Sequence, residues 1–581
     1  MKVLRFDAFG DTSLRLFDGD AKTPQAQRQL VTADIAALIE FVAEHYRRTG
    51  VDLQPVGERL YQWLDGPAER WLAGALENSN GHALHIDVEE RLRGLPWELM
   101  HDGGRYLSGT LHPPLTPVRR VRDSCRDEVT PANRPLRILM MACSPDDVKP
   151  VLEYDGEEAI LLAATSKQPI ELVVEESGSL IGLQERVEEF GPNYFDVLHL
   201  SGHADVLGDV PVFIVEQETG GHEYATAEMI AKAVQHWPRL VFLSGCKTGQ
   251  AAGDGLLPSF CEALVSKGAP AVLGWALPVG DIAASLAAGI LYHQLAIGNR
   301  IDEAVCSARA QLLEKNVPDW HLLRLFADAT DVGDLVTPVM TKKREKIKIR
   351  AAQKEFLDAG QTGVCSASDF VGRRRPLQRC LKVLRSRQSA VEYHDGVILT
   401  GMGGLGKSSL AARLCQRMRP SHQRRVVCVG PLDEARLLSC VNEQTADAEA
   451  AALLNEASLS LHQRLRKLLD SEFDNEPVLF VFDDFEQNVE QDAGKPVQVD
   501  EQGRAILKPA ALNVLDALLR AIHQSAAGSS LPAVTRWRCR RLPRSCLRSR
   551  CKVWMRPTFP RNSDGSTPNS RPKTFSQSHA N

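Results

Sequence analysis

The sequence predicts an α/β protein with a doubly wound, mostly parallel sheet, followed by a second α/β unit of the P-loop type and a disordered basic C-terminal tail. Three observations carry this reading. Short apolar runs recur at Ile138–Ala142, Ile170–Val174, Phe195–Leu200, Leu240–Leu243 and Ala271–Trp275, most of them separated by amphipathic stretches such as Ile181–Phe190 and Leu256–Lys267. A glycine-rich loop at 401–408 stands between an apolar run and a helical segment. Beyond Leu531 the charge reverses: ten Arg and two Lys face Asp564 alone.

Composition narrows the class. With 581 residues, 43% hydrophobic and 25% charged, the chain is long enough for two or three cores and ordinary enough to exclude collagen-like, disordered and disulfide-scaffold readings. A net charge of −5 argues against a chain built as a whole for nucleic acid, which is not expected as a partner. None of the 13 cysteines forms a C-x-x-C pair, so neither a zinc knuckle nor a thioredoxin motif is indicated, and free thiols suit a reducing cytosol. The opening residues Met1 to Asp7 lack the apolar stretch of a signal peptide. Ala269–Ile297 is apolar but is broken by Pro278, Asp281 and His293, so no membrane span is expected. The expectation is a soluble cytoplasmic protein.

Residues 1–130 open with β-type segments at Val3–Phe9 and Ser13–Phe17. A helix over Thr32–Arg48 follows, with Ile35, Leu38, Ile39, Val42 and Tyr46 on one face. After Ala83–Asp87 comes the run Arg93-Gly94-Leu95-Pro96-Trp97-Glu98-Leu99-Met100. Residues 131–335 carry the alternating strands and helices, closing with helices through Glu314 and the segment Trp320–Asp328. A linker spans 336–368, and its charge-dense stretch 342–350 suits a solvated helix face. The second α/β pattern covers 369–530 and is incomplete; the tail is 531–581. No internal repeat is visible.

Chemistry in open parallel sheets collects at the carboxyl ends of strands. Two such ends stand out: Leu198-His199-Leu200-Ser201-Gly202-His203 and Val241-Phe242-Leu243-Ser244-Gly245-Cys246-Lys247-Thr248-Gly249. If the two strands are parallel neighbours joined through Ala227–Val234, His203 and Cys246 leave the same sheet edge. A thiol attacks as thiolate, yet at its ordinary pKa only a few per cent is ionised at neutral pH. An imidazole beside it takes the proton and returns it to the leaving amine. Gly245 keeps the backbone close, so that its amide and that of Cys246 could hold an oxyanion. Taken alone, a cysteine after a strand more often packs as a small hydrophobe, and His199, inside its strand, illustrates the structural use of histidine.

These two blocks resemble the catalytic blocks of CHAT domains, the caspase- and separase-like cysteine peptidases. Leu92-Arg-Gly-Leu-Pro-Trp97-Glu98-Leu99 resembles the block in the non-catalytic half, and Val272-Leu-Gly-Trp275 with Val279-Gly-Asp281 resembles the strand and loop after the nucleophile. The resemblance spans roughly 80–330. It implies a caspase-like fold, with residues 1–130 as the amino-terminal, non-catalytic part, His203 as base and Cys246 as nucleophile. One position departs from it: Ala204 stands where the family usually has glycine. Asp281 resembles a wall of the primary specificity pocket in the separase-like branch, which would favour a basic residue before the scissile bond; a helix N-cap before Ile282 is the structural alternative.

The second motif is Gly401-Met402-Gly403-Gly404-Leu405-Gly406-Lys407-Ser408, preceded by Gly396–Thr400 and followed by a helix over Ser409–Met418. It fits G-x-x-x-x-G-K-[ST], a loop whose amides turn onto phosphate at a helix N-terminus. The expected nucleotide-binding residues are Gly401, Gly403, Gly404, Gly406, Lys407, Ser408 and Ser409, with Lys407 reaching the β/γ-phosphates. Val478–Phe482 ends in Asp483 and Asp484: Asp483 joins Ser408 on Mg²⁺ and Asp484 orients water. Phe370-Val371-Gly372-Arg373 and the loop itself resemble STAND ATPases, the NB-ARC and NACHT relatives, over about 370–526. The resemblance implies ATP (or dATP or ADP) with Mg²⁺, and self-association through this module.

In such switches a strand bearing a sensor arginine, a helical lid and a winged helix follow. Here Arg536 and Arg538 have no evident apolar strand before them, and the text becomes Pro-, Ser- and Arg-rich. The favoured reading is that residues 531–581 are translated out of frame; a basic tail that binds nucleic acid and a mobile disordered tail are the alternatives. The expected function is a nucleotide-regulated cysteine endopeptidase acting on a protein substrate, with defence or programmed cell death as the setting the resemblance implies. The alternatives are an inert CHAT scaffold assembled by ATP, or a truncated non-functional product.

Overall fold

Alternation of side chains over Lys2–Ala8 makes β1, where buried Leu4 and Phe6 alternate with half-buried Val3 and Arg5. The computed structural model describes residues 2–8, 13–19, 21–46, 52–66, 68–77, 81–111, 113–121, 130–149, 161, 168–244, 259–277, 279–339, 355–356, 363–365, 370, 372–385, 396–399, 401, 404–418, 424–443, 448–471, 478–491, 498, 506–524 and 533–534. After β1 come β2 (Ser13–Asp18), β3 (Ala26–Gln29), the helices α1 (Thr32–Tyr46), α2 (Gln54–Asp65) and α3 (Trp71–Glu77), then β4 (His82–Val88), α4 (Glu90–Arg93) and β5 (Leu115–Arg120). The chain continues through β6 (Leu136–Ala142), β7 (Ile170–Glu175), α5 (Leu180–Phe190), β8 (Val197–Ser201), β9 (His203–Leu207), β10 (Val210–Glu216), β11 (His222–Thr226) and α6 (Ala227–Val234). It closes with β12 (Leu240–Ser244), α7 (Phe260–Ser266), β13 (Ala271–Trp275), α8 (Asp281–Ile297), α9 (Ile301–Glu314) and β14 (Leu323–Ala327).

Eleven strands form one sheet in the order β3-β2-β1-β4-β5-β14-β13-β12-β8-β6-β7. It is mostly parallel; the antiparallel pairs are β1–β2, β2–β3 and β13–β14. Every residue of β8, β12, β13 and β14 is buried, which is why these strands are mostly apolar, with His199, Ser201, Ser244 and Arg324 as their polar members. The sheet runs without interruption across position 130: β5 pairs with β14 through Val118↔Leu325, and one core cluster joins Leu4 to Val336. The two halves therefore share their hydrophobic stabilisation.

Three local expectations change. The stretch after β8 is not a free loop: His203 begins β9, and β9–β11 make a separate three-stranded antiparallel sheet. Helix α7 starts at Phe260 behind a Ser259 capping box with Glu262. Helix α8 has Gly280 as its N-cap, so Asp281 is its first helical residue and not the cap.

The second unit holds α10 (Arg374–Leu384), α11 (Lys407–Met418), α12 (Glu434–Asn442), α13 (Ala448–Leu454), α14 (Leu461–Ser471) and α15 (Pro509–Gln524). Before it, β15 (Glu355–Phe356) and β16 (Gly363–Val364) pair antiparallel inside the expected linker. Its sheet comprises β17 (Gly396–Val397), β18 (Arg424–Val429), β19 (Val478–Asp483) and β20 (Ala533–Val534), all parallel, in the order β17-β20-β19-β18. The strand β20 corrects the reading of the tail, since Ala533 and Val534 insert between β17 and β19 just ahead of Arg536. Two residues are too few to register as an apolar run, and their strand character comes from the neighbours on both sides. Residues 535–581 lie outside the described residues. Among the described residues no helix is long and apolar enough to cross a membrane.

Candidate active site

Strands β8 and β12 are parallel neighbours in register through Leu200↔Leu243 and Ser201↔Ser244. His203 lies two residues past Ser201, and Cys246 two residues past Ser244. The Gly202 amide donates to the Ser244 carbonyl at 3.2 Å, which ties the two strand ends together. Gly245 and Cys246 themselves lie outside the described residues. On the other flank β6 pairs with β8 through Ala142↔Ser201, and the Cys143 amide donates to the Ser201 carbonyl at 2.7 Å.

Packing explains the residues around the histidine. A Cβ on Gly202 would lie 2.7 Å from the Phe213 ring and 3.3 Å from Cys143 Cβ, so only glycine passes there. His203 is buried, opposite Ile214 in the β9–β10 register. The Ala204 methyl is buried in the cluster that contains Phe213 and Phe260, so the departure from glycine is absorbed by the core. Two other thiols are not candidates for attack. Burial pushes Cys143 well above its ordinary range, with its Sγ donating to the Gly178 carbonyl at 3.3 Å, and burial likewise raises Cys261. His199 is structural: its Nδ1 meets the Tyr292 hydroxyl at 2.5 Å, and its ring stands edge-on to Phe242.

A family model described as CHAT domain matches residues 54–352, just over half of the chain. The chain belongs to the CHAT domain family. That places it in the caspase-like cysteine peptidase clade. No curated protein matches it. Two solved structures similar to it are of the Saccharomyces cerevisiae separase–securin complex, at 2.6 and 3.0 Å resolution. The first is 12% identical and the second 14%, each with a TM-score of 0.26 and over 43% of this chain. The chain spans only 16% and 15% of the length of the chains it matches there.

Within the CHAT region, β13 adjoins β12 in parallel register through Leu243↔Gly274, so the turn leading to Asp281 leaves the edge that carries His203. Sequence reasoning missed the polar layer at this edge. Glu175, at the end of β7, accepts from Ser177 N at 3.0 Å, Ser177 Oγ at 2.6 Å and Gly178 N at 2.7 Å. Glu216, at the end of β10, donates its amide to the Gly178 carbonyl at 2.8 Å and accepts from Ser144 N at 2.8 Å. No periodicity announces such a layer; acids at two strand ends, one of them the pair Glu175-Glu176 ahead of Ser177-Gly178-Ser179, were the signal available.

Past the CHAT region, Gly404 and Gly406 adopt φ of +75° and +73°, a conformation that suits glycine. Helix α11 begins directly at Lys407 with Ser408 and Ser409 in its first turn; Gly401 is described, whereas Gly403 lies outside the described residues. The Ser409 hydroxyl accepts from the Cys365 amide at 3.2 Å, and Arg373 donates to the Leu405 carbonyl at 3.0 Å. Phe370 packs in the cluster with Val397 and Leu410, so the segment ahead of the module folds against its loop. Asp483 ends β19 buried, and among the described residues its Oδ2 has no hydrogen-bond partner. A buried carboxylate oxygen without a donor is the kind of group a hard cation satisfies. Asp484 follows in the left-handed region at φ +49°.

Proposed function

We propose that this chain is a cysteine endopeptidase in which Cys246 attacks the substrate carbonyl and His203 handles the proton, governed by an ATP-binding module over 369–530. The observation that supports the peptidase reading is the Ser201↔Ser244 register on adjacent parallel strands, since His203 and Cys246 each come two residues later in the sequence. His203 takes the thiol proton as sulfur bonds to the carbonyl carbon. The amides of Gly245 and Cys246 hold the oxyanion, and His203 returns the proton to the departing amine. Water then hydrolyses the thioester. Asp281 favours a basic residue before the cleaved bond.

The Asp483 oxygen that lacks a donor among the described residues and the loop–helix geometry at Lys407 support the nucleotide reading. Asp483 and Ser408 would hold Mg²⁺, which would neutralise phosphate charge; Lys407 reaches the β/γ-phosphates and Asp484 orients water.

The test is covalent labelling by an electrophilic peptide ketone ending in arginine. Wild type is expected to label at Cys246, Cys246→Ser and His203→Ala to lose it, and Asp281→Ala to lose its preference for basic over neutral ketones. Labelling that persists in His203→Ala rejects the dyad and favours an inert scaffold. For the module, Lys407→Ala is expected to weaken binding of a fluorescent ATP analogue at least about tenfold, as loss of a charge-assisted contact worth roughly 1.5–3 kcal/mol requires. Unchanged binding rejects the assignment.

A further inference from the structure

The helix that starts at Lys407 does not end in solvent. Arg413 and Arg417 on α11 reach across to Glu175 and Glu176 at the β7 end of the CHAT sheet, and all four side chains are buried. Arg413 grips Glu176 through two nitrogens, its Nε at 2.7 Å, while Arg417 lies 3.4 Å from Glu176 and 3.5 Å from Glu175. Arg374 of α10 completes the clamp, donating to the Glu176 carbonyl at 2.6 Å, to Glu216 at 3.2 Å and to the Ala142 carbonyl. None of these pairs belongs to the dyad or to the phosphate loop.

The clamp is continuous with the His203 edge. Glu175 holds the amides of Ser177 and Gly178; the Gly178 carbonyl receives Cys143 Sγ and the Glu216 amide; the Cys143 amide holds Ser201, two residues before His203. Withdrawing the arginines would leave Glu175 and Glu176 adjacent and buried, with Arg186 at 3.1 Å from Glu176 as the guanidinium still paired to them, an arrangement that favours movement of the turn or uptake of a proton. A shift of α11 therefore changes the balance of charge that holds the 175–179 turn in its present form.

We infer that α11 is a lever: nucleotide held at its amino end is felt at the His203 edge through the arginine–glutamate clamp farther along it. Arg413 is six residues, about 9 Å, from Lys407 along a rigid helix. This rests on the nucleotide reading above, and it adds the route by which that site governs the peptidase. Coupling of this kind is reciprocal and commonly amounts to about 5–150-fold.

Amide hydrogen exchange on the full chain, with and without the fluorescent ATP analogue mant-ATP and Mg²⁺, tests it. Wild-type amides in 175–179 and 197–207 should change exchange rate about fivefold or more on saturation. The double variant Arg413→Lys/Arg417→Lys keeps both charges but loses the fork geometry. It should still bind mant-ATP and lose the response, and its melting curve checks that it folds. Wild type that binds nucleotide without changing at 175–207, or a variant that responds as fully as wild type, overturns the lever while leaving the nucleotide site standing. Wild type that binds no nucleotide removes the nucleotide reading, and the lever with it.

Discussion

Glu98 sits wholly buried among three guanidinium groups, with Arg119 at 2.5 and 2.8 Å, Arg309 at 3.3 Å and Arg324 at 3.9 Å. Burial alone would push its carboxyl up, but the arginines outweigh that and hold it at about 2. The stabilisation is thus present above pH 4.5 and lost as pH falls through about 2. Glu98→Gln leaves buried arginines uncompensated and should cost about 3–5 kcal/mol in denaturant unfolding. His85 runs the other way: burial, then Arg120, depress it from 6.5 to about 3. Between those values the unfolded chain holds the extra proton, so stability falls on acidification by about 1.4 kcal/mol per pH unit. Melts at pH 7, 6 and 5 should show that slope reduced in His85→Gln; an unchanged slope would assign the acid sensitivity elsewhere, His321 at about 4 being next. Iodoacetamide on the folded protein should spare Cys143 and Cys261, whose thiols burial keeps protonated.

At the scale of elements, the approach of the β8–β9 connection to Phe213 on β10 and to Cys143 beyond β6 depends on one missing side chain. Gly202→Val would drive a branched carbon into the Phe213 ring and the Cys143 side chain, both core groups. Overpacking of that kind costs about 1–3 kcal/mol, and displacement of the β8 end should slow labelling at Cys246 by more than the loss of folded protein explains. Labelling that falls only in step with folded fraction would make Gly202 purely structural. In the second unit β20 pairs with β17 on one side and β19 on the other, so Val534→Pro, which removes a ladder donor from an internal strand, should lower the melting of the 370–534 unit and, through the shared arginine–glutamate pairs, that of the CHAT half with it.

At the scale of the molecule, two units meet through buried ion pairs between residues some 158 to 241 positions apart. Buried pairs of this kind are costly to break and contribute modestly when formed, so their weight lies in fixing orientation. What can be read along the chain is what depends on neighbours in sequence: the apolar runs of β8, β12 and β13, the helix faces, the glycines before Lys407, and the two Ser-Gly strand ends with His203 and Cys246. What could not be read are matters of pairing at a distance. The parallel strands could have been ordered in several ways from the same runs, and the Ser201↔Ser244 register, the continuity of the sheet past residue 130, the strand at Ala533–Val534 and the arginine clamp appear only once the chain has closed on itself. Local patterns record what each segment buries, whereas partners are chosen by the free energy of the whole packed assembly.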